Sequence, residues 1–251
     1  MNREPTSLTN SLVTSHESRV TRHAFFVTGT DTGVGKTLVA CALLHAYAQR
    51  GLRVIGMKPV AAGARREHGV LVNEDVAALK SASNTSAADD LVNPYCFEPP
   101  IAPHIAAAQA AIEIEVTRIV DAQRALARLA DCVIVEGAGG FRVPLSARAN
   151  TSDLAHELAL PVILVVGIRL GCLNHALLTA DAVRAAGLHL AGWVANHIEH
   201  DTPYADENVG ALRERIDAPL IARLAHSAAC EPWLMAREID VARLQEAGAR
   251  D

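Results

Sequence analysis

Short apolar runs alternate with longer segments of helical period along most of the chain. Residues 24–28, 53–57, 131–135, 161–166, 190–196 and 219–222 read as strands, being aliphatic and bounded by turn formers. Between and after them, residues 37–50, 74–80, 115–129, 152–157, 174–186, 204–216 and 231–247 carry the spacing of helices. In the first of these, Leu38, Cys41, Ala42, Leu44 and His45 fall near one face, which predicts an amphipathic helix closed by Gly51. Gly187 closes 174–186 in the same way. Residues 59–72, rich in Gly and Ala, read as a loop, and the proline-rich 93–104, NPYCFEPPIAPH, cannot stay regular for long. Residues 1–23 are polar, rich in Ser and Thr and without period, so they are expected to form a disordered leader to a single domain over 24–251.

Several strands are apolar on both faces, and strands alternate with helices throughout. That predicts an α/β fold, a mostly parallel sheet with helices on both faces. A chain of 251 residues suits one large domain of this kind. Hydrophobic residues at 50% supply its core, and aromatics at only 4% favour helices packed on an aliphatic sheet over an all-β fold. The net charge of −5, with no dense Lys/Arg run, argues against a nucleic-acid partner. Cys41, Cys96, Cys132, Cys172 and Cys230 are odd in number, far apart and without a CxxC, so buried free thiols in a reducing compartment are expected. No apolar run approaches a membrane span and the N-terminal segment lacks a secretory pattern, which predicts a cytoplasmic protein without a membrane partner.

In parallel sheets of this kind ligands lie beyond the C-terminal ends of the strands. The first such end carries FFVTGTDTGVGKT, residues 25–37: a strand, a small-residue loop, then Gly-Lys-Thr opening a helix. Glycines let backbone N–H groups converge on an anion, and the helix adds its positive end. Lys36 supplies mobile charge for terminal phosphates, and the Thr37 hydroxyl can ligate Mg2+. The spacing is unusual, because the first glycine of the common phosphate loop falls on Thr30, and Gly29 stands one residue early. The tail Gly33-Val34-Gly35-Lys36-Thr37 resembles the variant loop of the partition-ATPase superfamily, whose second lysine falls here on Asp31.

Other strand ends carry further candidates. Lys58 follows VIGM; it can snorkel to solvent, or neutralise a transferring phosphoryl group. Glu136 follows Cys132-Val-Ile-Val and precedes Gly137-Ala138-Gly139, where such ATPases place a metal-binding acid and where glycines admit a ligand closely. It can equally cap a helix. Asp75 stands at a helix start, either as a first-turn acid or as a metal ligand. Asn196 can read a base with donor and acceptor together, or form a turn. His197 and His200 are spaced HxxH but lack a third ligand nearby. Cys172 has no catalytic partner in view and reads as packing, while Gly171 to Asn174 can present free N–H groups to an anion.

Taken in order, FFVTGTDTGVGKT, MKPVAAG, NEDVAAL, VNPYCFEPPIAPHIAA, VIVEGAGG, PVILVVGIRLGCLNHALLT and GWVAN resemble the dethiobiotin synthetase family, from about Phe25 to Asn196 and more weakly to Pro219. The resemblance implies a P-loop NTPase architecture and an ATP-dependent ring closure in biotin biosynthesis. A carbamate forms on one amine of 7,8-diaminopelargonic acid from CO2. It is then phosphorylated by ATP, and attack by the second amine yields dethiobiotin. It also implies Mg2+ and a homodimer. By motif, Lys58 and Lys36 are the catalytic lysines, and Thr37, Asp75 and Glu136 the metal ligands. The nucleotide falls to Gly33, Val34, Gly35, Lys36, Thr37 and Leu38, with Asp75, Glu136, Gly137, Ala138, Gly139, Asn196 and His197, and along Ala225, His226 and Ser227. The substrate falls to Thr32, Lys58, Ala62 and the segment Gly171, Cys172, Leu173 and Asn174, the last serving its carboxylate across the dimer.

The chain departs from the family pattern twice. Ala62 stands where the family often has Ser, so a hydroxyl contact is missing. The family's Leu-Gly-x-Ile-Pro, along the adenine, reads Ile221-Ala222-Arg223-Leu224-Ala225, which bears on base selectivity. Two rival readings are a partition-type ATPase switch, which expects a lysine at position 31, and a glutamine-dependent amidase, which expects a further domain with a Cys nucleophile.

Overall fold

The computed structural model describes residues 23–227 and 231–247, so the expected leader, apart from His23, and Cys230 lie outside the described residues. Its centre is a six-stranded sheet of β1 (His23–Gly29), β2 (Val54–Met57), β3 (Cys132–Glu136), β4 (Val162–Ile168), β5 (Leu190–His197) and β6 (Leu220–Leu224). The order across the sheet is β6-β5-β4-β1-β3-β2, and every neighbouring pair is parallel. The chain fills one side of β1 and then crosses to the other, so β1 stands at the point where strand order reverses. That point opens the crevice in which such sheets bind ligands.

The alternation along each strand explains the layers. On β1, Phe26 joins one buried cluster with Val133, Leu164 and Trp193, while Phe25 and Val27 join the other with Ile134, Ile163 and Val194. Successive side chains point to opposite faces, so a strand apolar at every position must be covered twice. Helices do the covering. We label them α1 (Lys36–Ala48), α2 (Glu74–Ala82), α3 (Val116–Leu129), α4 (Thr151–Leu158), α5 (Cys172–Ala185) and α6 (Ala205–Arg215). Residues of α3 to α6 bury against the first cluster, those of α1 and α2 against the second.

Four expectations are corrected. α1 is not amphipathic: Val39, Ala40, Leu43 and Tyr47 are as buried as Cys41, Ala42 and Leu44, while Leu38 and His45 are only half-buried. The sheet takes one flank of α1, α2 another, and the segment Pro232–Met235 a third. The expected loop 59–72 holds Val60–Ala62, paired with Tyr95–Phe97, and a hairpin of Arg65–Glu67 with Val70–Val72. As expected, the proline-rich stretch stays regular only briefly, over the three residues Tyr95–Phe97, before a helix opened by Pro103. The expected terminal helix 231–247 is broken into Pro232–Met235, a 3-10 turn over Ala236–Glu238 and Val241–Ala247, because Ile239 is extended and buried. Cys41, Cys132 and Cys172 are buried thiols as expected, whereas Cys96 is only half-buried.

Candidate active site

The phosphate loop leaves β1 at Gly29 and is tied at once to β4 by Thr30 N–H donating to the Val165 carbonyl at 3.0 Å. The early glycine has a local cause: a Cβ on Gly29 would lie 2.6 Å from Val34 Cγ2 and 3.1 Å from Lys36 Cγ. Gly35 is the left-handed residue before α1, with φ 92°, and a Cβ there would lie 2.2 Å from Asn196 Nδ2. The loop is thus folded tightly around its own lysine and against the end of β5.

Lys36 is buried and donates from Nζ to the Asp31 carbonyl at 2.8 Å. Burial, and then the charge of Lys58, bring its pKa down to about 8 against the pull of Glu136, Asp75 and Asp31. An ammonium that has lost solvation and gained a like-charged neighbour favours a polyanion in its reach.

Below the loop, four side chains from four elements meet. The register Met57↔Val135 between β2 and β3 sets Lys58 beside Glu136. Lys58 Nζ donates to Glu136 Oε1 at 2.6 Å and to Asp75 Oδ2 at 2.9 Å. Thr37 Oγ1 lies 2.9 Å from both Asp75 Oδ1 and Glu136 Oε1, and its single proton can serve one of them at a time. Burial alone would lower Lys58, but the charges and hydrogen bonds of Glu136 and Asp75 carry it above the ordinary lysine value. Burial would likewise raise Asp75, yet Lys58, the Thr37 hydrogen bond and Lys36 hold it below the ordinary carboxylate value. Snorkelling is therefore not the role of Lys58, which is 5% exposed.

Positioning is built from local contacts that the sequence reading passed over. Asn93 Nδ2 holds the Lys58 carbonyl at 2.6 Å, and Lys58 N–H donates to Val92. Asn73 caps α2 by accepting from Val76 N–H, which aims Asp75, and its Nδ2 holds the Ala62 carbonyl at 3.2 Å. An Asn just before an acidic helix start is an N-cap signal visible in the sequence. Arg169, at the end of β4, donates to Asp31 Oδ2 at 2.7 Å. It follows an apolar strand as Lys58 does, and the same reasoning would have found it.

The remaining candidates are placed as follows. Gly137 N–H donates to the Val27 carbonyl, and a Cβ on Gly139 would come within 3.7 Å of Thr32 Oγ1, so the glycine segment after Glu136 borders the phosphate loop. Asn196 is buried and donates from Nδ2 to the Val34 carbonyl at 2.9 Å, so part of its hydrogen-bonding capacity braces the loop. His197 Nε2 accepts from Arg223 Nε at 3.1 Å, and Arg223 also binds Asp206. Partial burial and the Arg223 charge lower its pKa. Leu224 pairs with Asn196 in register, which brings the chain entering Ala225 to Ser227 alongside. Cys172 is buried as packing, whereas Gly171 and Asn174 are exposed, and Leu170 is 97% exposed. Just ahead of that segment, Arg169 reaches the loop itself, at Asp31.

Thr37, Asp75 and Glu136 offer the hard oxygen donors that Mg2+ prefers. Glu136 Oε2 is buried with no hydrogen-bond partner among the described residues, an orphan that a cation would satisfy. The residues therefore fit the metal. Among the described residues no group of three His, Cys, Asp or Glu side chains forms a metal cluster.

A parallel sheet reversing at β1, with a phosphate loop at that point, defines a P-loop NTPase. The family model described as an AAA domain matches residues 23–232. The chain is 56% identical over 216 residues to the ATP-dependent dethiobiotin synthetase BioD of Aromatoleum aromaticum, covering 86% of this chain and 96% of that one. It belongs to the dethiobiotin synthetase family. Among solved structures it is similar in fold to the MinC:MinD cell division complex of Aquifex aeolicus (TM-score 0.55, 12% identity, covering 91% of this chain and 97% of that one). It is likewise similar to MinD with Mg-ADP from Pyrococcus horikoshii (TM-score 0.53, 17% identity, 91% of each chain). At such identities only the architecture is shared.

Proposed function

We propose that the protein closes the ureido ring of dethiobiotin from 7,8-diaminopelargonic acid, CO2 and ATP. One amine adds to CO2 and loses a proton, giving a carbamate. A carbamate oxygen takes the γ-phosphoryl group and ADP leaves, giving a carbamic–phosphoric anhydride. The second amine attacks the carbamoyl carbon and expels phosphate. The observation that carries the reading is the buried ammonium of Lys58 between Asp75 and Glu136, directly below a phosphate loop.

The difficulty of the reaction is electrostatic, since a carbamate and a triphosphate repel. Lys36 and Lys58 supply two ammonium groups on that meeting point, fixed rather than recruited from solvent. Glu136 and Asp75 hold Lys58 charged and aimed. Thr37, Asp75 and Glu136 are the residues that would hold Mg2+, which when bound spreads the negative charge of the phosphates. Gly33 to Leu38 and Glu136 to Gly139 line the nucleotide, Asn196, His197 and Ala225 to Ser227 its base, and Thr32, Lys58 and Ala62 the diamine.

We place the substrate carboxylate at Gly171 to Asn174 of a partner copy. Leu170 and Leu178, exposed at 97% and 61% beside that segment, favour a covering surface. The free thiols Cys41, Cys96, Cys132 and Cys172 support a reducing, cytoplasmic location. Among the described residues no helix is long and apolar enough to cross a membrane.

The test is to incubate the protein with diaminopelargonate, bicarbonate, Mg2+ and ATP and to assay dethiobiotin and phosphate in equal amounts. ATP hydrolysis without dethiobiotin would favour the switch-type ATPase and overturn the proposal.

A further inference from the structure

Asp31 puts a negative charge on a loop whose purpose is to receive phosphate. Both of its carboxylate oxygens are engaged: Oδ1 accepts from Thr32 N–H at 2.7 Å and Oδ2 from Arg169 Nη2 at 2.7 Å. Its carbonyl holds Lys36 Nζ at 2.8 Å. One residue thus joins the loop, the phosphate lysine and the end of β4. The loop is also sewn to β4 through Thr30 and Val165, so Arg169 projects from a fixed base. Both side chains of the pair remain partly open to solvent, 36% for Arg169 and 49% for Asp31.

We propose that Arg169 is the counter-ion that makes an acid tolerable on the phosphate loop, and that through Asp31 it sets the affinity for the nucleotide. The proposal rests on the reading of residues 29–37 as the triphosphate site. An unpaired carboxylate there repels the phosphates and competes for Lys36, whose ammonium it also attracts. Paired with a guanidinium, which cannot lose its proton, the carboxylate stays neutralised while its Oδ1 still shapes the turn. A half-exposed ion pair contributes little to folding. The pair therefore earns its place through the ligand, and stability and affinity should separate. Arg169 also leads directly into Gly171 to Asn174, so its position links the nucleotide side to the segment proposed for the substrate carboxylate.

The test is titration calorimetry of the full chain with a non-hydrolysable ATP analogue and Mg2+, with no diamine present, alongside thermal unfolding. Arg169→Met should weaken binding on the order of tenfold while leaving the midpoint nearly unchanged. Arg169→Lys should keep most of the affinity. In the Arg169→Met background, Asp31→Asn removes the exposed negative charge, keeps an acceptor for Thr32 N–H, and should restore binding. If Arg169→Met binds as the wild type does, or if Asp31→Asn fails to restore it, Arg169 does not act as the counter-ion. A wild-type chain that binds no analogue would overturn the nucleotide reading itself, whatever its activity with the diamine, and this proposal with it.

Discussion

Lys58 Nζ lies 2.6 Å from Glu136 Oε1, between the ends of two strands that are neighbours in the sheet but 78 residues apart in the chain. Both groups are almost wholly buried, at 6% and 1% side-chain exposure. A buried pair of this kind is weak evidence for stability in itself, but breaking it by removing one partner is costly. It keeps a charged ammonium in a dry place where a phosphoryl group is expected to pass.

Replacing Lys58 by Met is expected to have two effects. Without ligand, Glu136 is left uncompensated, and stability in urea should fall by about 3–5 kcal/mol. Dethiobiotin formation should fall roughly 100-fold or more while nucleotide binding is retained, because the lost charge acts on the transferring group. Turnover within a few-fold of wild type would remove Lys58 from the chemistry.

Lys36 gives a pH signature. Its folded pKa of about 8 lies below the ordinary 10.5, so between these values the unfolded chain holds more protons than the native one. Stability gains with rising pH wherever the unfolded state binds more protons, so Lys36 costs stability below about pH 8 and progressively less up to 10.5. Lys36→Met should therefore be more stable than wild type at pH 7, by an amount on the order of 2–3 kcal/mol, with the difference shrinking as pH rises to 10. Urea midpoints of the two ligand-free proteins across that range measure it; a constant difference would contradict the assignment.

The glycine one residue early is expected to be indispensable for steric reasons. Gly29→Ala places a Cβ 2.6 Å from Val34 Cγ2 and should cost about 1–3 kcal/mol along with nucleotide affinity. Adding Val34→Ala removes the clashing methyl and should recover part of both. Calorimetry of the single and double variants decides whether the loop geometry or another feature is at stake.

The all-round burial of α1 predicts that its outer side is as sensitive as its inner side. Leu43→Ala and Leu44→Ala, both at fully buried positions, should each cost about 2–5 kcal/mol. Leu38→Ala, at a half-buried position, should cost distinctly less. A small loss at Leu43 beside a large one at Leu44 would mean that α1 is packed on one face after all.

Much of the candidate site is legible in the sequence. Strand ends mark themselves by an apolar run stopping at a charge, which is how Lys58 and Glu136 stood out, and the loop at 29–37 declared itself by its residues. Arg169 obeys the same rule but was passed over, because its significance lies in Asp31, 138 residues away in the chain. The all-round cover of α1 escaped for a similar reason, since its outer flank is closed by Pro232–Met235 from the far end of the sequence.

The sequence by itself determined the alternation of strands and helices, the doubly covered sheet and which charged and polar residues stand at the strand ends, because periodicity and local residue type are local properties. Only the tertiary structure decided which ends meet. The β2–β3 register sets Lys58 against Glu136, the ribbon of Val60–Ala62 with Tyr95–Phe97 orders a stretch rich in turn formers, and the buried, extended Ile239 breaks the terminal helix. Each depends on packing between residues distant in the chain, where burial outweighs local propensity.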